Sequence, residues 1–120
     1  MISAVVALMA TPAAAFDYVN EILIGNTVEL TNNITGESAR FQFKADNTVT
    51  MLRPGKPNET GSWRQTDTEL CSTFPSVGRE VCRAKPANAT VPGQAAFSGK
   101  TPEGVAYDIV VKWLAGQVGY

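Results

Sequence analysis

Both cysteines of this chain lie in residues 61–85, GSWRQTDTELCSTFPSVGREVCRAK, and ten residues separate Cys71 from Cys82. This stretch has the pattern of strand, turn, strand, loop and strand, with Trp63 on the first strand and one cysteine on each of the next two. The two cysteines then face each other across neighbouring strands. We predict an antiparallel meander, linked by a disulfide, in the middle of a larger sheet.

Residues 1–15 form an uncharged and mostly apolar run that ends in three alanines, Ala13 to Ala15. Small residues at this place are typical of a signal-peptidase site, and the run is shorter than the roughly 20 apolar residues of a membrane-spanning helix. A signal peptide usually begins with positive charge, which is missing before Asp17. The alternative is a buried apolar helix that is never removed. We predict an export signal in residues 1–15 and a single β-barrel domain in residues 16–120, in the periplasm or secreted.

The compartment and the charge of the chain limit its partners. An oxidising compartment favours a disulfide between Cys71 and Cys82 over the alternative, a pair of buried free thiols. A structural zinc site is not expected, because it needs more Cys or His ligands and the chain has no histidine. The formal net charge is −1 at pH 7, and the basic residues are scattered. Nucleic acids and anionic membranes are bound by clusters of Lys and Arg, so we expect neither as a partner.

Short alternating stretches on both sides of the cysteine segment predict further strands. Residues 38–45 give the clearest period-two pattern, because Ala39, Phe41 and Phe43 alternate with polar side chains. We also predict strands at 27–31, 48–53, 94–98 and 105–113, an amphipathic helix at 16–24, exposed loops at 54–61 and 86–93, and a frayed tail or short edge segment at 114–120. Evenly spaced short strands favour an all-β fold, a small antiparallel barrel or sandwich of about eight strands with a short N-terminal helix.

Catalysis has little support in the sequence. Nucleophilic catalysis by serine or cysteine normally needs a neighbouring base, most often histidine. Asp67, Glu69 and Glu80 come closest to a cluster of carboxylates, but they flank turns and strand ends, where solvated charges normally lie. We predict a non-enzymatic protein with no catalytic residues, no metal site and no cofactor.

Aromatic residues dominate the face that the alternation predicts to be inward. In a small barrel such side chains usually fill the interior, and packing is therefore the alternative to ligand binding. Trp63 and Tyr107 each carry a polar atom that needs a partner when buried, and such groups often line apolar pockets. The predicted inward aromatics are Phe41, Phe43, Trp63, Phe97, Tyr107 and Trp113. The predicted ligand site consists of Phe41, Phe43, Trp63 and Tyr107.

The segments FKADNTVTM and TGSWRQTDTELC resemble a pattern found in small periplasmic proteins of alphaproteobacteria. That pattern runs from GNT through F-x-x-D-G-T-V, G-x-W and L-C to a second cysteine, and the match covers residues 22–85, with Asn47 at the place of the usual turn glycine. The resemblance implies an exported, lipocalin-like β domain of mostly unknown role, and it supplies no catalytic residues. A weaker similarity is to periplasmic inhibitors of metalloproteases, which are also small barrels with one disulfide.

Two functions fit these expectations. The first is a non-enzymatic exported β-barrel that binds a small apolar ligand or a cell-envelope component, and it requires a cavity bounded by the four predicted aromatic residues. The second is a protein–protein module, such as an inhibitor of an exported hydrolase, that acts through the loops at 54–61 and 86–93. This second function requires a filled barrel with ordered, projecting loops.

Overall fold

A computed structural model describes residues 16–120, and the predicted export signal, residues 1–15, lies outside the described residues. The described chain forms one antiparallel sheet of eight strands in the order β6-β5-β4-β3-β2-β1-β8-β7, curled into a half-barrel. The prediction of a small all-β antiparallel fold with a short N-terminal helix is confirmed. The strands are β1 (Thr27–Asn32), β2 (Ser38–Phe43), β3 (Thr48–Leu52), β4 (Glu59–Gln65), β5 (Glu69–Thr73), β6 (Glu80–Ala84), β7 (Gly93–Lys100) and β8 (Ala106–Leu114).

The N-terminal helix covers one end of the half-barrel. It is a single turn of π-helix, Val19–Leu23, inside the segment predicted as an amphipathic helix, and its buried residues are Val19, Ile22 and Leu23. Just before it, Tyr18 accepts a hydrogen bond of 2.8 Å from the indole Nε1 of Trp113 on β8. The helix therefore seals this end of the sheet, which we call the helix end. None of the helices in residues 16–120 is long and apolar enough to cross a membrane.

The concave face of the sheet carries the alternating apolar residues. Val28 lies opposite Phe41 on one side and opposite Trp113 on the other, and Phe41 in turn lies opposite Met51. Val28, Met51 and Trp113 are buried, as the alternation predicts. This cross-strand packing of large side chains is what stabilises a half-covered antiparallel sheet.

A glycine allows one aromatic ring to fold back over the sheet. Phe74 directly follows β5 and is buried, and its ring centroid lies 5.9 Å from that of Phe41. Gly61 on β4 leaves the space for this ring, since a Cβ at position 61 would lie 2.7 Å from Cδ1 of Phe74 and would also strike the carbonyl oxygen of Thr73. The concave face is therefore covered from within by Phe74 at this point.

The predicted disulfide is confirmed. Cys71 on β5 lies directly opposite Cys82 on β6, and the two sulfurs are bonded. Trp63 pairs with Ser72, so Cys71, which pairs with Arg64, lies on the convex face. Cys71 is nevertheless completely buried, whereas Cys82 is exposed. The bridge thus joins the edge strand to its neighbour from the outside of the sheet.

The two edge strands of the sheet are connected by a loop and are not paired with each other. β6 and β7 are the edges of the sheet in the described part of the chain, and residues 85–92 run from one to the other. Ala89 and Val91 in this connection pack against the core. A loop that covers sheet edges protects their unpaired backbone groups. The predicted loops at 54–61 and 86–93 are slightly too long, because β4 begins at Glu59 and β7 at Gly93.

The prediction of a frayed C-terminal tail is wrong. Residues 115–120 lie along the convex face of β1 and β2, where the Thr27 hydroxyl donates to the Gly116 carbonyl at 2.8 Å and accepts from the Val118 amide at 2.9 Å. The guanidinium of Arg40 lies 4.4 Å from the ring centroid of Tyr120. The tail is thus held by its own backbone groups and by one terminal aromatic ring.

Candidate ligand groove

Two of the four aromatic residues predicted to bind a ligand belong to the packed core. Phe43 and Trp63 are buried and meet edge to face, with ring centroids 6.1 Å apart. The indole Nε1 of Trp63 donates a hydrogen bond of 2.8 Å to the backbone carbonyl of Lys44. The polar atom that made Trp63 a candidate is therefore already satisfied by the protein.

The other two aromatic residues lie apart from this pair. Phe41 is half-buried and lines a groove described below. Tyr107 is 36% exposed, and Phe97 is 43% exposed, so the prediction that they are buried is wrong. Both lie on the concave face, but β1 ends at Asn32, opposite Ile109, and leaves the β7–β8 hairpin uncovered beyond that point. The four residues do not surround one cavity, and their role in ligand binding stays a prediction.

A groove of about 540 Å³ opens on the concave face at the end opposite the helix. We call it the open-end groove. Its floor is apolar and comes from adjacent strands, with Leu30 on β1, Ala39 and Phe41 on β2 and Ile109 on β8. Its volume lies within the roughly 300–1,000 Å³ that is usual for small-molecule sites. The other residues that line it are Asn32, Gly36, Glu37, Ser38, Arg53, Pro54, Lys56 and Arg83.

The open-end groove is lined by one carboxylate, Glu37, and by three cations, Arg53, Lys56 and Arg83. Arg53 places its Nη2 3.4 Å from Oε1 of Glu59, while its buried Nε has no hydrogen-bond partner among the described residues. Glu59 also accepts a hydrogen bond of 2.7 Å from the Ser76 amide. The hydrogen bonding from Ser76, together with the charge of Arg53, holds the pKa of Glu59 below its usual value. Glu59 is therefore ionised and already shared between two donors.

Arg83 has no ion-pair partner at the groove. Arg40 pairs with Glu29 and Arg64 with Glu80, whereas Arg83, like Arg79, makes no ion pair within residues 16–120. Arg83 is exposed to solvent, although partial desolvation lowers the pKa of its guanidinium below the usual value. A guanidinium does not lose its proton in proteins, so Arg83 brings an unneutralised positive charge to the groove.

Glu80, one of the carboxylates that the sequence brings near the cysteines, forms an ion pair with Arg64. Glu80 accepts hydrogen bonds of 2.7 and 2.6 Å from Nε and Nη2 of Arg64, which hold the pKa of Glu80 below its usual value. Glu69 lies near both cysteine sulfurs. Because these sulfurs are bonded to each other, they provide no thiolate for a metal ion.

A second groove of about 700 Å³ lies at the helix end. Asp17, Asp67 and Lys85 line it together with Phe16 and Tyr18. Hydrogen bonds from Asn20 hold the pKa of Asp17 below its usual value. This second groove borders the junction with residues 1–15, and the charges that line it have both signs.

No family model matches this sequence, and comparisons with curated proteins and with solved structures found no match. The function must therefore be argued from the open-end groove. Sequence reasoning identified Phe41 as a lining residue and missed the cations. Arg83 shares a strand face with Val81 and lies opposite Leu70, but the mixture of polar and apolar residues on both faces of β5 and β6 gave no clear signal of which face is concave.

Proposed function

We propose that this protein is an exported, non-enzymatic binding protein that holds a small apolar ligand or a cell-envelope component in the open-end groove. The observation that carries the proposal is the apolar floor formed by Leu30, Ala39, Phe41 and Ile109, which is only half-buried in the groove. Half-buried apolar side chains in a concave site are the usual lining of small-molecule pockets. The groove replaces the cavity that we predicted between the four aromatic residues.

Export to the periplasm or the medium is part of the same proposal. The Cys71–Cys82 disulfide supports it, because structural disulfides persist in oxidising compartments. The resemblance of residues 22–85 to small periplasmic proteins with a lipocalin-like domain supports it from the sequence. The use of Glu80 in an ion pair with Arg64, and the lack of any histidine in the chain, support a role without catalysis.

The test is a titration with Nile red, an uncharged apolar dye whose fluorescence rises in apolar sites. Ala39→Gln places a polar side chain on the groove floor, and Ala96→Gln on β7 is the matched control, because Ala96 is exposed and pairs with Val110 on the convex side. We expect Ala39→Gln to weaken dye binding about tenfold, since losing contacts worth about two buried methylene groups costs roughly 1.6 kcal/mol.

The control fixes the meaning of this result. Ala96→Gln should bind the dye as the parent does, and both variants should keep the melting temperature of the parent within a few degrees. A parent protein that does not bind the dye, or an equal loss in both variants, would show that the open-end groove is not an apolar binding site.

A protein–protein module remains the second candidate, and the loop between β3 and β4 favours it. Residues 54–58 are all exposed and lie at the mouth of the groove. The loop at 86–93 offers less to a partner, because Ala89 and Val91 pack against the core. Inhibition of hydrolases exported by the same host, by protein that does not bind Nile red, would favour this candidate over the first.

A further inference from the structure

We propose that the ligand of the open-end groove is an amphiphile with an anionic head, a carboxylate or a phosphate, and an aliphatic tail. Arg83, Arg53 and Lys56 receive the head, and the uncovered apolar surface of β7 and β8 receives the tail. This inference rests on the proposed function, to which it adds the chemical class of the ligand.

The head site follows from the unmet hydrogen-bonding capacity of two arginines. The Nε of Arg53 is buried without an acceptor, and the exposed Arg83 has no ion pair among the described residues. A buried donor that lacks an acceptor is costly, and an exposed guanidinium without a carboxylate partner is available to a ligand. An anionic ligand would supply the acceptor oxygens, and the planar guanidinium matches carboxylate and phosphate with paired hydrogen bonds.

The charge balance of the groove points to the same ligand class. Glu37 is the one carboxylate among the lining residues described, against the three cations. Glu59 offsets Arg53, from whose Nη2 it lies 3.4 Å, so one positive charge remains after Glu37 and Glu59 are counted. An uncharged ligand would leave this positive charge uncompensated, whereas an anion would neutralise it.

The tail site is the apolar surface next to the groove. Ile109 lines the groove and lies opposite Phe97, and Tyr107 follows on the same face of β8. Opposite Tyr107 is Gly99, and the tyrosine ring lies against this glycine, since a Cβ at position 99 would come within 2.9 Å of the tyrosine hydroxyl. The aromatic side chains of Phe97 and Tyr107 are 43% and 36% exposed. Contiguous exposed apolar surface beside a charged site indicates a binding function, and an aliphatic chain would bury it.

The experiment measures the affinity of the mature protein for three probes with the same tail: dodecanoate, dodecyl phosphate and dodecanol. Isothermal titration calorimetry is carried out below the micelle concentration of each probe, on the parent, on Arg83→Gln and on Arg79→Gln. Arg79 is exposed and lies outside the groove, so Arg79→Gln is a control with the same loss of charge. We expect Arg83→Gln to weaken binding of the anionic probes roughly 10- to 100-fold, and to leave dodecanol binding unchanged.

The arms of the experiment separate the two proposals. If none of the probes binds the parent, the proposed function fails. If dodecanol binds the parent as tightly as the anionic probes, or if Arg79→Gln weakens their binding as much as Arg83→Gln, the groove binds apolar chains and the anionic head is refuted. Tighter binding of dodecanoate identifies a carboxylate head, and tighter binding of dodecyl phosphate a phosphate head. Lys56→Gln, at an exposed position, is a second test of the head site. It should weaken binding of the two anionic probes and leave dodecanol binding unchanged.

Discussion

Replacing Trp63 distinguishes a packed core from a ligand cavity at the centre of the sheet. Trp63 is 8% exposed, meets Phe43 edge to face and donates a hydrogen bond to the Lys44 carbonyl. Trp63→Ala should lower the free energy of unfolding by about 3–5 kcal/mol, the usual cost of deleting a large buried aromatic side chain. This cost is a large part of the roughly 5–15 kcal/mol that stabilises a typical domain. Trp63→Phe keeps most of the apolar bulk and loses the indole donor, so it should cost about 1–2 kcal/mol.

Urea unfolding followed by far-ultraviolet circular dichroism measures these costs without relying on tryptophan fluorescence, to which Trp113 also contributes. Phe97→Ala is the control, because this ring is 43% exposed and its loss should cost less than about 1 kcal/mol. A Trp63→Ala protein whose free energy of unfolding lies within about 1 kcal/mol of the parent would refute the packed core. It would also return Trp63 to the predicted ligand site.

Two further predictions concern the disulfide and a glycine. Cys71 and Cys82 are 11 positions apart, and a disulfide that closes so short a loop stabilises a protein by about 3 kcal/mol. Replacing both by serine should therefore lower the melting temperature by more than about 10 °C in a calorimetric scan, and an unchanged melting temperature would contradict this. Gly61→Ala should cost about 1–3 kcal/mol in urea unfolding, because the new Cβ would strike a backbone carbonyl and the ring of Phe74. Gly119→Ala meets only an ordinary contact at 3.9 Å and should change little; equal losses in the two glycine variants would refute the steric argument.

Alternation predicts the face of a strand better than it predicts burial. The pattern in residues 38–45 correctly placed Ala39, Phe41 and Phe43 on the concave face of β2. The same pattern placed Tyr107 on that face, yet Tyr107 is exposed because β1 ends before reaching it. The face on which a side chain lies is a local property of the strand backbone. Whether that side chain is then buried depends on the lengths of neighbouring strands, which are far apart in the sequence.

The open-end groove and the path of the C-terminal segment, residues 115–120, could not be predicted from the sequence for a different physical reason. Arg83 reaches the groove from β6, while half of the lining residues come from β1, β2 and β8 at other places in the sheet. The cysteine strands mix polar and apolar residues on both faces, so their alternation did not identify the concave face. The C-terminal segment is held largely through the backbone carbonyl of Gly116 and the backbone amide of Val118. Because every residue has such backbone groups, this contact leaves no pattern of side chains in the sequence.

The position of β8 in the sheet determines when the core can close during synthesis. β1 lies between β2 and β8, and 95 positions separate Tyr18 from its hydrogen-bond partner Trp113. A nascent chain that still lacks β8 therefore holds β1 as an open edge and the N-terminal helix without its main anchor. Such long-range contacts form slowly, because distant segments must first meet. The chain consequently stays without a closed core until nearly all of the domain has left the ribosome.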